Sequence, residues 1–325
     1  MTKIYTRKDM NLDLVRGRTI SVIGYGNQGR SQALNLRDSG LNVTVGNIED
    51  EYAEQAAEDG FDVHCIEAAA AKGDVVHVLL PDEVAPQVYS RDIHGGLAKD
   101  NALCFSSGYN ITYGYIRPPK FIDLILVAPR MGGADVRARF LDGSGFLSLV
   151  GAEQDGSGQA LPIAIAIALG VGSTQGALMS SFREETIVDL FGEQLQGMGL
   201  FTAQLAFETL VEAGCSPEAS LLELYMSQEV ADDWRNCARS GLWKQLRGHS
   251  TTSQYGQLTR GASAAGKQTR ELFKKIVSDI QSGAFASEWM QEQKKEFPLF
   301  QKLTKQSLSH PINKAEDDVR RILNR

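Results

Sequence analysis

Hydrophobic and polar positions follow two different rhythms along this chain, and the rhythm changes a little past its middle. In the first half, short β-branched runs alternate with amphipathic stretches. Thr19–Ile23 (TISVI) reads as a strand, followed by a glycine-rich turn and a helix running to about Asp38. Asp38-Ser39-Gly40 turns the chain into a second strand at 41–45. A helix rich in Ala and Glu follows at Glu51–Glu58, with Gly60 as its stop. Further strands are expected at 75–80, 103–105, 124–127 and 146–150. Strands alternating with helices predict an α/β fold, a parallel, doubly wound sheet covered by helices on both faces.

From about Phe182 the period-2 runs stop and helical patterns take over, at 205–213, 219–231 and 270–281. Pro217 sits where a helix would begin, and Gly214 where the one before would end. The apolar run at 161–169 is expected to form the last helix of a first domain. The reading is therefore a dinucleotide-binding domain over 1–181 and an all-helical domain over 182–325, packed closely because no Pro- or Ser-rich linker separates them.

Composition narrows the function classes. With 325 residues, 42% hydrophobic and 22% charged, the chain can bury the cores of two domains. Lys+Arg 33 against Asp+Glu 40 gives a net charge of −7 without a basic run, so neither nucleic acid nor an anionic membrane is an expected partner. The longest apolar stretch, 161–171, is well short of the roughly 20 residues that span a bilayer. The N-terminal MTKIYTRKDM lacks a signal-peptide core, so the expected location is the cytoplasm. Cys65, Cys104, Cys215 and Cys237 form no CxxC pair, which argues against zinc or a disulfide framework.

Gly24-Tyr25-Gly26-Asn27-Gln28-Gly29 carries the first chemistry. Between a strand and a helix, GxGxxG is the Rossmann dinucleotide turn. Its first glycine makes the bend, its second lets backbone approach a pyrophosphate, and its third lets helix pack on strand. The free N–H groups and positive end of the helix face the phosphates. At the end of the second strand, Asn47-Ile48-Glu49-Asp50-Glu51 holds three acids and no base. A ribose 2′-hydroxyl wants a carboxylate acceptor there and a 2′-phosphate wants a cation, so NADH is favoured over NADPH. A distant Arg folding in would reverse the preference, and Arg30, just after the glycine turn, is one candidate. The plainer reading of the acids is a solvated helix start.

In the second half, Asp189 and Glu193 stand four apart, on one helix face, as oxygen donors for a hard cation such as Mg²⁺. An acid pair at that spacing is more often a solvated face. Motifs on either side of it change the weighting. GYGNQGRSQALNLRDSG (24–40), LLPDEV (79–84), ETIVDLFGEQ (185–194), FETLVEAG (207–214), DIQSGAFASEW (279–289) and HPI (310–312) together closely resemble ketol-acid reductoisomerase, in order and over nearly the whole chain. The resemblance implies a Rossmann N-domain and an all-helical, knotted C-domain with the active site between them, assembled as a homodimer or larger homo-oligomer. It implies an enzyme that isomerises acetohydroxy acids over two Mg²⁺ ions and then reduces the keto group with NADPH. Besides the glycine turn, Leu80, Pro81 and Asp82 of LLPDEV fall on the cofactor side.

Carried over residue by residue, Asp189 matches the carboxylate bridging the two metals, Glu193 a ligand of the first, and Glu223 a ligand of the second. Ser250 matches a serine that contacts substrate. Three positions depart from the family pattern. Ser227 stands where the second metal's other glutamate would be, Ser107 where AHGFNI has its histidine, and Arg130 where APKGPGH has its lysine. Alkyl migration needs two Lewis-acidic ions, and Arg130 cannot shuttle protons. The expectation drawn here is therefore an NAD(P)H-dependent reductase with the isomerase site altered and Mg²⁺ doubtful, at most one ion on Asp189 and Glu193. Its small-molecule substrate would be an imine or related C=N/C=C bond in a specialised, secondary-metabolite pathway, with the acids cradling a cation. The alternative is a true ketol-acid reductoisomerase of branched-chain amino-acid biosynthesis. His249 is a spare proton donor or an idle loop residue, and Trp234 and Trp243 are expected in the helical core.

Overall fold

A computed structural model describes residues 2–323. The chain divides into two compact units, Met1–Val188 and Asp189–Arg325. The first carries strands β1 (Ile4–Tyr5), β2 (Thr19–Ile23), β3 (Asn42–Gly46), β4 (Asp62–His64), β5 (Val75–Val78), β6 (Ala102–Phe105), β7 (Asp123–Pro129), β8 (Leu147–Gln154) and β9 (Gly176–Met179). Between them lie helices α1 (Asn27–Asp38), α2 (Glu51–Glu58), α3 (Ile66–Lys72), α4 (Ala85–Val88), α5 (Tyr109–Thr112), α6 (Gly133–Leu141) and α7 (Ala160–Val171). A long helix α8 (Phe182–Glu212) crosses from one unit to the other.

All nine strands form one sheet in the order β1-β9-β8-β7-β6-β5-β2-β3-β4. From β7 to β4 neighbouring strands are parallel, and β2 is the strand from which the chain winds first one way and then the other. Ligands of such sheets sit outside the carboxyl ends of the strands at this switch point. The wholly parallel sheet needs correcting, because β8 runs antiparallel to β7 and β1 antiparallel to β9. After α6, Gly143 and Gly145 take φ of 73° and 63° and turn the chain back, so that Ser148 lies opposite Pro129. Apolar layers cover both faces. One joins Ile20 and Val22 to α1 and to the almost wholly buried α7; the other joins Ile23, Val76 and Val78 to α3. The apolar run forms α7, the last helix before α8, and β9 follows it.

The second unit is helical throughout its described residues: α9 (Pro217–Leu221), α10 (Glu229–Ser240), α11 (Thr251–Ala264), α12 (Lys267–Ser282), α13 (Ala284–Lys294), α14 (Pro298–Leu308) and α15 (Pro311–Ile322). The single helix expected at 219–231 is broken. A wide π-type turn occupies Leu222–Met226, and Gln228 adopts φ 72° before α10 starts. Its buried core is small, centred on Phe207, Leu221 and Val319. Trp234 and Trp243 are 65% and 69% exposed rather than in that core. No helix among the described residues is long and apolar enough to cross a membrane.

Candidate active site

Local sequence fixes the glycine turn. Gly24 has φ +93°, and a Cβ there would lie 2.9 Å from the Leu79 carbonyl oxygen. A Cβ on Gly29 would lie 2.0 Å from the Gly24 carbonyl, so this glycine closes the turn from behind. Nothing lies within 4 Å of a Cβ on Gly26, which leaves its backbone approachable from the open side. The Tyr25 N–H donates to Asn47 Oδ1 at 3.2 Å and ties the turn to the end of β3. A cavity of about 660 Å³ opens here, from Asn47 and Ile48, past 24–28, to Leu80, Pro81, Asp82, Ser106, Ser107 and Asn110. All of it belongs to the first unit.

The acidic loop is partly committed to structure. Asp50 caps α2, accepting the N–H groups of Tyr52 and Ala53, and its Oδ1 also accepts from Asn47 Nδ2 at 2.7 Å. Glu49 lies off the main cleft, on a smaller neighbouring cavity. Arg30 is engaged as well. Its Nε and Nη2 donate to the two oxygens of Asp59 at 2.7 and 3.1 Å, and the Tyr25 hydroxyl donates to the same carboxylate at 2.9 Å. These bonds hold the Asp59 carboxyl below its usual range, the Arg30 bond being the largest cause.

At the other end, loops after β5, β6 and β7 converge. Asn110 Nδ2 donates to the Asp82 backbone oxygen at 3.0 Å and to its Oδ1 at 3.2 Å, and the Ser107 hydroxyl donates to Asp82 Oδ2 at 3.4 Å. Arg130 Nη1 donates to Glu185 Oε1 at 3.0 Å, while Glu185 Oε2 accepts the Gly108 N–H at 2.6 Å. Glu185 is 1% exposed and joins the start of α8 to Arg130, one of the three departures from the family pattern, and to Gly108, the residue after another, Ser107. In sequence it had no role beyond opening the ETIVDLFGEQ motif. The signal was Gly108, where a Cβ would lie 2.2 Å from the Phe182 carbonyl oxygen, so α8 packs directly on that turn.

The remaining candidates lie in the second unit. Asp189 is half-buried and Glu193 exposed, one turn apart on α8. Glu223, in the π-type turn, and Ser227 just after it are exposed. Ser250 caps α11 by accepting the Ser253 N–H. His249 contacts Gln245 through Nε2 at 3.0 Å, a local structural bond. Among the described residues, no three His, Cys, Asp or Glu side chains converge as a ready-made metal cage. The donor chemistry nonetheless fits Mg²⁺, because carboxylates spaced four apart on a helix supply the hard oxygens that ion takes.

Family models match almost end to end. Residues 14–177 match the model described as acetohydroxy acid isomeroreductase, NADPH-binding domain, and 182–325 match ketol-acid reductoisomerase, C-terminal domain. The chain is 42% identical to a ketol-acid reductoisomerase (NADP(+)) of Methanocaldococcus jannaschii, covering 99% of this chain and 98% of that protein. It is 43% identical to one of Methanopyrus kandleri, covering 99% of each. A solved NADH-preferring ketol-acid reductoisomerase from an uncultured archean superposes with TM-score 0.94 at 36% identity, covering 98% of both chains. Whole-length identity of this order overturns the expectation of an imine or C=N/C=C reductase from a secondary-metabolite pathway, for the relatives are ketol-acid reductoisomerases. Three altered side chains were too few to outweigh the rest of the chain. The doubt over Mg²⁺ loses its support with it. What stands is an NAD(P)H-dependent oxidoreductase with a Rossmann domain and an all-helical partner domain.

Proposed function

This chain belongs to the ketol-acid reductoisomerase family, and we propose that it isomerises an acetohydroxy acid and reduces the product, with NADH as the preferred donor. The observation that carries the reading is the single cleft from the acidic loop past the glycine turn to Ser107, with a volume suited to a dinucleotide. The turn and the N-terminus of α1 bind the pyrophosphate. NADH is supported by a loop without a base, by Arg30 held on Asp59, and by the NADH preference of the TM-score 0.94 neighbour. Bound at Asp189, Glu193 and Glu223, Mg²⁺ would polarise the keto oxygen and acidify the hydroxyl. Ser227 would offer only a neutral oxygen there, so a second ion would be held more weakly than by a glutamate. Arg130 stays cationic, paired with Glu185, and the Ser107 hydroxyl beside Asp82 is the exchangeable proton at the family's histidine position.

A second copy of the chain is part of the proposal. On α8, Leu200, Phe201 and Leu205 are 74%, 66% and 62% exposed, an apolar stripe suited to burial against a like surface. Light scattering should give at least a dimer. Following absorbance of reduced nicotinamide with 2-acetolactate and Mg²⁺ tests the activity.

A further inference from the structure

One fully buried titratable side chain stands outside the reaction described above. His77 lies in the middle of β5, between Val76 and Val78, and is 0% exposed. Its Nε2 is 2.8 Å from Gln32 Oε1. From Gln32 a chain of side chains leads to the cleft: Gln32 Nε2 lies 3.0 Å from Gln28 Oε1 and 3.2 Å from Ser106 Oγ. Gln28 and Ser106 both line the cavity, and His77 and Gln32 do not.

Two backbone carbonyls fix the direction of every bond. Gln28 Nε2 is 3.0 Å from the Met131 carbonyl oxygen, which accepts only, so the amide nitrogen must face it. Gln28 Oε1 then faces Gln32, which must donate through Nε2, and Gln32 Oε1 is left facing His77. The Ser106 hydroxyl donates its one proton to the Val127 carbonyl at 2.8 Å, so toward Gln32 it accepts. The imidazole is therefore the Nε2–H tautomer, and reversing any amide would set oxygen against oxygen. His77 Nδ1 is buried without a hydrogen-bond partner, and the Cys104 backbone, facing His77 across β5 and β6, favours the charged ring against the larger effect of burial.

We propose that His77 is a positioning residue for the nicotinamide half of the cofactor. Acting through Gln32, it locks Gln28 and Ser106 in the one orientation that presents a defined donor and acceptor to the cleft. The inference rests on the dinucleotide reading of that cleft. The fold places 24–28 at the switch point, and Ser106 beyond β6 on the side opposite the acidic loop, where the nicotinamide goes. Without the imidazole donor, Gln32 Oε1 keeps only the Ser106 hydroxyl 3.5 Å away, whose proton lies on the closer Val127 carbonyl, and its amide is free to turn.

The test is fluorescence titration of NADH, alongside competition by AMP, which reaches only the adenosine half. His77→Leu should raise the NADH Kd about tenfold, the scale of one mis-set buried hydrogen bond, and leave AMP unchanged. His77→Gln, which replaces the Nε2–H donor, should stay within about twofold of wild type. His77→Leu with Gln32→Leu removes both ends of the bond; it should regain melting temperature yet keep the weakened NADH binding, since Gln28 and Ser106 stay unlocked. Wild-type binding of NADH by His77→Leu, or equal weakening of NADH and AMP, overturns the proposal. If the wild-type protein binds no dinucleotide at all, it is the cleft reading that falls.

Discussion

Arg30 presents two guanidinium nitrogens to the two oxygens of Asp59, at 2.7 and 3.1 Å, and the Tyr25 hydroxyl closes on the same carboxylate. The cation nearest the cofactor turn is thus satisfied before any cofactor arrives. A 2′-phosphate would have to compete with a bidentate pair, the strongest geometry a carboxylate offers to arginine. NADH should bind more tightly than NADPH, by about tenfold, in parallel fluorescence titrations. Asp59→Asn should narrow that gap by weakening the hold on Arg30. A wild-type preference for NADPH would contradict the argument.

Glu185 is a buried carboxylate that ties α8 to the turn at Gly108 and to Arg130. Removing its charge in Glu185→Gln takes the buried carboxylate out of the Arg130–Glu185 pair. Because the Arg130 side chain is 33% exposed, water recovers part of the cost, and about 2 kcal/mol of stability should be lost in urea unfolding. Glu184→Gln, one residue away and exposed, should be near neutral.

His77 makes the fold sensitive to acid. Burial holds its imidazole down to about 4, against about 6.5 in an unfolded chain. Between these values the unfolded state binds the extra proton, so stability is full above pH 6.5 and falls as pH drops toward 4. The total is about 3 kcal/mol at about 1.4 kcal/mol per pH unit. His77→Gln should flatten this part of the stability–pH curve, measured by chemical denaturation across pH 4–7.

What sequence revealed and what it hid have physical reasons. Helix α2 was legible to the residue, because Asp50 caps it and Gly60 stops it, both local effects. The glycine turn was legible for the same reason. The antiparallel placing of β8 and the existence of β9 depend on which distant strand each one meets, and no local pattern records that. Gln228 at φ 72° breaks a helix whose apolar spacing ran on undisturbed. Glu185 looked like any acid in a first helical turn, since its burial comes from Gly108, far away in sequence. Of the acidic loop, Asp50 is spent on that cap, in line with the helix-start reading of these acids. Ser107, Arg130 and Ser227 were visible as departures, yet they weighed less than the whole-length likeness around them.

Ser227 offers a graded test of the metal site. Restoring a carboxylate in Ser227→Glu adds a charged oxygen four residues from Glu223. Half-maximal activity should then require about tenfold less Mg²⁺, read from initial rates against metal concentration. No change would mean that this position does not face the ion.

The central claim is most directly tested by incubating the full-length protein with 2-acetolactate, NADH and Mg²⁺ while following the reduced-nicotinamide absorbance. The account predicts steady oxidation of NADH that stops when EDTA removes the metal and resumes when Mg²⁺ is returned. A protein that binds NADH but leaves it unoxidised with 2-acetolactate, at every Mg²⁺ concentration tried, would contradict it.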